Sequence, residues 1–283
     1  MMDEHVMEAL GKTKIVIRSG NVVYIGEPLI KSCPLASRFE EPVRTFSKEE
    51  IRRNIEFRIR RFGMFTRNRI VTSDEDFVPF GSSELISFGL KKRMIGGAVI
   101  VADCAGTVVT RNPLLVQGLG GRLSGLVKTS PIPEVIEKIE LEGGIVLDKE
   151  SARIDQLAGV ELAYKLGMSN VAVTVVSARE AETIRSKYED SWILATHLTG
   201  ISKEDVEILV STCDIITSCA SKWVREIAGR KALLQAGTII PVFAMTRRAK
   251  DLVLEKLKNM ERQVLVKLER LPFTSTEGPS PLI

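Results

Sequence analysis

Residues 97–110 read GAVIVADCAGTVVT, and residues 214–224 read DIITSCASKWV. Each is a short apolar run closing on a cysteine, an alanine and a small residue. A short run without polar alternation is the pattern of a strand buried on both faces. The chain has only four cysteines, so two at the ends of such strands is a placement to explain. In an open parallel sheet, ligands bind beyond the carboxyl ends of the strands, where the loops meet. If both strands run the same way, Cys104 and Cys219 share that edge.

Working outward, short apolar runs recur over 98–102, 145–147, 171–176, 192–195, 215–217 and 239–244, with helix-like stretches between them. Pro133–Leu141 has proline in its first turn and stops at Gly143-Gly144. Ile154–Leu166 carries an apolar stripe and stops at Gly167. Ser202 before Glu204-Asp205 is an N-cap. Ser221–Ala228 ends at Gly229, and a long helix is expected over Arg247–Leu268. Strands alternating with helices in this way imply an α/β fold: a three-layer, mostly parallel sheet over 96–270 with helices on both faces.

Residues 1–95 read differently, as a smaller α+β section. Lys14–Arg18 and Val22–Ile25 flank Ser-Gly-Asn as a hairpin. A proline-punctuated loop comes next, then helices over Ser47–Phe62 and Ser83–Met94. Residues 271–283 read as a mobile tail.

Composition narrows the class. A 283-residue chain that is 44% hydrophobic and 27% charged can bury a substantial core. The net charge of +4 suits a small anionic ligand and decides nothing alone. No secretory signal precedes an apolar core, and no apolar run reaches the ~18 residues of a membrane span. The expectation is a cytoplasmic protein with reduced thiols and no membrane attachment. Between Arg44 and Arg69 there are nine Lys/Arg against three Glu. The Ile51–Ile55–Ile59 stripe marks one buried helix face, so the reading is a solvated amphipathic helix and not a nucleic-acid surface.

Cys104, Cys219 and one of the two histidines, His197, each come after an expected strand, which suits a ligand or metal crevice. Cys219 also precedes a helix, whose amide ends would favour thiolate. That makes it the better nucleophile, with His197 as base; Asp103 opposes ionisation of Cys104. Cys33, in the loop Ser-Cys-Pro-Leu, is a third soft ligand, and Cys33, Cys104 and Cys219 together could hold an iron–sulfur cluster or soft metal if the fold gathers them. No close-spaced ligand pattern supports this, and each cysteine read alone is equally a small buried hydrophobe. Cys213 reads as structural.

The stretch QGLGGRLSG offers Gly118, Gly120, Gly121, Arg122 and Ser124 as an anion seat, with Lys222 as a further cation. It is not a dinucleotide fingerprint, because Leu123 stands where glycine is needed. Gly11-Lys12-Thr13 lacks the upstream glycine of a P-loop, and GRLSG is not a nucleophile elbow.

The stretches EPLIKSCPL, NIEFRIRRFGM, ADCAGTVVTRNPLLVQGLGGRLSGLVKTSPIPEVIEKIE, GGIVLD, ARIDQLAGV and CASKWVREIAGRKALLQAGTIIPVFA resemble the archaeal family called methanogenesis marker protein 8. The resemblance spans most of residues 1–250. It implies an anaerobic archaeal cytoplasm and a role beside a methanogenesis enzyme. It supplies no reaction and no catalytic residues. An oxygen-free setting favours a thiol-held cluster or metal. Three functions stand open: an accessory protein binding a metal, cluster or anionic coenzyme; a cysteine-dependent enzyme on a small anionic substrate; and a non-catalytic interaction module.

Overall fold

Two sheets make up the fold of this computed structural model, which describes residues 3–283. The smaller sheet has four antiparallel strands. β1 (His5–Ala9), β2 (Thr13–Arg18) and β3 (Asn21–Ile25) form a meander. Its fourth strand lies far along the chain: β6 (Leu126–Lys128) pairs with β1. Alternate residues Met7, Ala9, Ile15 and Ile17 point into one apolar cluster, as period-two patterning requires. Helix α1 (Lys48–Phe62) covers that face with Ile51 and Ile55. Ser47 caps it by accepting from Glu50 N, and Gly63 ends it at φ +65°, the left-handed stop that glycine allows.

The larger sheet has eight strands. They are β4 (Gly97–Ala102), β5 (Gly106–Thr110), β7 (Gly144–Val146), β8 (Val171–Val175), β9 (Trp192–Ala195), β10 (Ile215–Thr217), β11 (Leu234–Ala236) and β12 (Val242–Ala244). Their spatial order is β11-β12-β10-β9-β8-β4-β5-β7. Only the β4-β8, β8-β9 and β9-β10 pairs are parallel. The edges β10-β12-β11 and β4-β5-β7 are antiparallel. The expectation of a mostly parallel sheet is therefore corrected to a mixed one, parallel at its centre. The reason lies in the opening stretch: GAVIVADCAGTVVT is two strands joined at Asp103–Ala105, not one strand entering a helix.

Helices cover both faces. Ala98, Ile100, Trp192, Leu194 and Ile215 pack in one apolar cluster and their neighbours Val99, Val173, Ile193 and Ile216 in another. The first cluster is closed by α2 (Ser82–Lys91), a short α3 (Pro113–Leu115), α4 (Pro133–Leu141) and α9 (Arg247–Lys258). The second is closed by α5 (Gln156–Lys165), α6 (Ala178–Lys187) and α7 (Lys203–Thr212). Ser202 caps α7 by accepting from Asp205 N. Helix α9 ends at Lys258, ten residues short of the expected Leu268. Residues 261–270 are exposed and form no helix or strand. The apolar residues Val264, Leu265, Val266 and Leu268 thus reach solvent instead of a core.

Two π-helical turns interrupt the regular helices. One is Val116–Gly120, directly after α3; the other is Val224–Ala228, running into α8 (Gly229–Lys231). Such turns recur at functional sites; here one overlaps the start of the glycine-rich stretch and the other directly follows Cys-Ala-Ser-Lys-Trp.

Candidate functional site

β4, β8, β9 and β10 are parallel, so their carboxyl ends lie along one edge of the large sheet. The small sheet sits on that edge. Glu8 of β1 meets His197 after β9, with Nε2 to Oε2 at 3.4 Å. Phe65 N donates to Asp103 after β4 at 2.8 Å. Thr129, just past β6, accepts from Cys104 N at 2.8 Å and touches His5 Nδ1 at 2.6 Å. Cys104, His197 and Cys219 all have left-handed backbone, at φ +69°, +61° and +45°. Non-glycine residues rarely adopt it, and it costs free energy that the surroundings must offset.

The edge divides into two unlike places. At the first, Cys104 is fully buried in the β4-β5 hairpin turn. Beside it Asp103 and Arg69, both inaccessible to solvent, form an ion pair with Nε to Oδ1 at 2.9 Å. Arg69 also donates to the carbonyls of Ile70, Gly118 and Leu119. Burial first, and then the Asp103 charge, push the Cys104 thiol well above its ordinary value. Nothing reaches this sulfur from outside. Cys104 is a structural residue of a tightly bonded core cluster.

At the second place, Cys33 and Cys219 come together. Cys33 packs in the same apolar cluster as Ala220 and Ile283. Both residues are partly exposed. The backbone of Leu198 and His197 works to lower the Cys219 thiol, and that of Leu35 and Ala36 the Cys33 thiol. Near both is Arg225, only 6% exposed. It has no carboxylate partner among the described residues. Its Nη2 donates to the carbonyls of Cys219 and Ile239 at 3.2 and 2.8 Å, and its Nε is buried without a partner. Arg225 feels the charge of both thiolates when they form.

Burial raises both thiols, with that backbone and Arg225 opposing it in part. The expected lowering of Cys219 by its adjoining helix is corrected: burial raises the thiol, and the backbone that opposes it belongs to the His197 loop. Burial, then the charge of Lys12, lower the His197 imidazole, while Glu8 opposes. Its ring is turned to Glu8 and to the bare Gly125 backbone; a Cβ at Gly125 would collide with the ring and with Glu8 O.

The remaining expected residues separate from this pair. Cys104 does not join Cys33 and Cys219, and no three His, Cys, Asp or Glu side chains converge as a metal set among the described residues. The glycines serve close packing instead of an open anion seat: a Cβ at Gly118 would strike the Val71 carbonyl, and one at Gly120 the Ser83 hydroxyl. Arg122 is clamped between Phe62 and Phe77, with its guanidinium carbon 4.0 and 4.9 Å from the ring centres. Ser124 is exposed. Lys222 is exposed and lies over Trp223 at 4.9 Å. The residue that sequence reasoning missed is Arg225. Its one signal was an arginine six positions after Cys219, on a helix face otherwise made of Val224 and Ala228.

A family model described as "Uncharacterized protein conserved in archaea (DUF2099)" matches residues 5–258. The chain belongs to this family. An uncharacterized protein of Methanocaldococcus jannaschii is 47% identical over 285 residues, covering the whole of both chains. No solved structure matches. The DUF2099 match takes in both cysteine loops and Arg225 and stops at the end of α9. Among the described residues, no helix is long and apolar enough to cross a membrane.

Proposed function

We propose that the protein is an accessory protein of methanogenesis. It holds an anionic, sulfur-bound group, an iron–sulfur cluster or a thiol-bearing coenzyme, between Cys33 and Cys219. The process comes from the resemblance to methanogenesis marker protein 8. The chemistry comes from one observation: a buried arginine without a counter-anion faces two thiols. An uncompensated buried charge is costly, and two thiolates bound to a metal group would compensate it. Two thiols complete only half of the usual four-thiolate set. A group held by one face, with its other ligands exchangeable, suits transfer to a partner enzyme better than permanent residence.

The cysteine-enzyme reading has less support. The His197 ring is turned to Glu8, and burial raises the Cys219 thiol, whereas an attacking thiol needs its thiolate. The basic-surface reading is weakened too, because Arg52, Arg53 and Arg61 are paired with Glu56, Glu41 and Glu40.

The test is anaerobic reconstitution with ferrous iron and sulfide, then metal analysis and visible absorption. Wild type and Cys104→Ser should bind iron; Cys33→Ser and Cys219→Ser should not. A wild-type protein that stays colourless and iron-free would remove the cluster reading. Equal loss in Cys104→Ser would remove the assignment to this pair.

A further inference from the structure

Residues 280–283 run across both thiol loops. Lys31 N and Ser32 N donate to Ser280 O at 2.7 and 3.3 Å, and Ser280 N donates back to Ser32 O at 3.0 Å. Ser32 and Ser280 form an antiparallel bridge. At the other end, Ile283 N donates to Ala220 O at 2.9 Å, and Lys222 N donates to Ile283 O at 3.0 Å. One end is therefore bonded beside Cys33, and the other on both sides of Ser221, next to Cys219. Ile283 packs in the cluster that holds Cys33 and Ala220, and its Cδ1 approaches Gly200 in the His197 loop.

The attachment is light. It consists of five backbone hydrogen bonds and the Ile283 side chain, with Pro279 buried just before it, and each backbone hydrogen bond adds little once exchange with water is counted. Segments held in this way belong to the low-stability end of a structure and open without global unfolding. Upstream, the chain is held again at Phe273, whose N donates to Gln235 Oε1 of β11, and at Ser275, whose N donates to Thr238 O; Thr276 and Glu277 between the two anchorages are exposed, so Ser280–Ile283 can lift while β11 keeps its contact.

We propose that Ser280–Ile283 is a releasable strap over the Cys33–Cys219 crevice, and that its lifting admits the group those thiols bind. The inference rests on the proposed function only in taking the two thiols as the site. The strap spans the mouth in place of a ligand; a ligand or partner that lifts it replaces its hydrogen bonds to Ser32 and Ala220 with contacts of its own.

The experiment is pulsed alkylation of the full chain with iodoacetamide, read residue by residue by mass spectrometry. The full chain is compared with one lacking Gly278–Ile283 and with Ile283→Ser, which keeps the backbone and removes the apolar anchor. Cys104 and Cys213 are buried and report any loss of the fold. Shortening the chain should speed labelling of Cys33 and Cys219 by about ten-fold, and Ile283→Ser by about three-fold, with Cys104 and Cys213 still protected. Unchanged rates in both variants, or all four thiols rising together, would overturn the strap. Faster labelling in a protein that binds no iron would leave the strap standing and remove the cluster reading alone.

Discussion

Cys104 and Cys219 end two stretches that read almost alike, both have left-handed backbone, and both lie on the same edge of the large sheet. Yet one is sealed in a hairpin turn against a buried ion pair, and the other opens beside Cys33 and Arg225. The difference comes from the residues on the C-terminal side of each cysteine. Beyond Cys104 and Ala105 the chain reads Gly-Thr-Val-Val-Thr, which turns back as β5 and takes the thiol into the core. After Cys219 it reads Ala-Ser-Lys-Trp-Val, which begins a helix and leaves the thiol at a loop. A strand-terminal cysteine is thus a weak site signal until the chain beyond it is read.

The contrast can be broken most sharply at Asp103. Asp103→Ala leaves Arg69 buried and unpaired, which should cost about 3–5 kcal/mol in urea unfolding. Cys219→Ser should cost about 1 kcal/mol or less. Comparable losses would mean that the two cysteine environments are not different in kind. Next in size is reactivity: Cys33 and Cys219 should be alkylated on the order of 100-fold faster than Cys104 and Cys213 in the native protein. Burial pushes the Cys213 thiol up to about 12, so its protection should persist into alkaline buffer. Early labelling of Cys104 would undo its structural assignment.

Arg225→Met sharpens the other side. It removes a buried charge that has no carboxylate among the described residues, so stability should change by only about 1 kcal/mol while reconstituted iron is lost. A large destabilisation with iron retained would make Arg225 a structural tether for the Cys219 and Ile239 carbonyls. The smallest effect expected is a pH slope. The folded His197 imidazole lies below its ordinary value, so the unfolded chain binds the proton first as pH falls. Its contribution is full above about pH 6.5 and declines below it. His197→Gln should flatten the urea midpoint between about pH 7 and 5 relative to wild type. An unaltered slope would place that acid sensitivity elsewhere.

The acid limit has a second source far from the crevice. Burial would raise Asp214, but Arg248 first, with Ile193 N and Arg185, holds its carboxyl below the usual range. That contribution is present above the unfolded carboxylate value and disappears only as pH falls through the lower folded one. It therefore lies at more acid pH than the His197 effect.

Much of the large sheet was legible because its central strands are short apolar runs with punctuated helices between them. Ser202 and Pro133 mark helix starts through local chemistry alone. β5 was lost because the cysteine before it drew attention to the edge and away from the β-branched run beyond. β11 was missed because Leu234-Gln235-Ala236 has a polar centre and no β-branched residue. At the site, Cys33, Cys219 and His197 were legible as residue types, but their partition was not. Bringing residue 33 beside residue 219 depends on the small sheet docking on the large one, and no local pattern encodes that. Arg225 looked like one more helix cation because its partners are backbone carbonyls of Cys219 and Ile239, which leave no mark in the sequence.

Strand β6 carries a consequence for how the chain is built and handled. The small sheet is completed by residues 126–128, which emerge after the first hairpin of the large sheet has been made. A fragment ending near residue 95 would leave β1 with a bare row of amides and carbonyls along its free side. Such unprotected borders recruit one another, so that fragment should collect in aggregates, whereas chains extending beyond residue 128 can cover it from within.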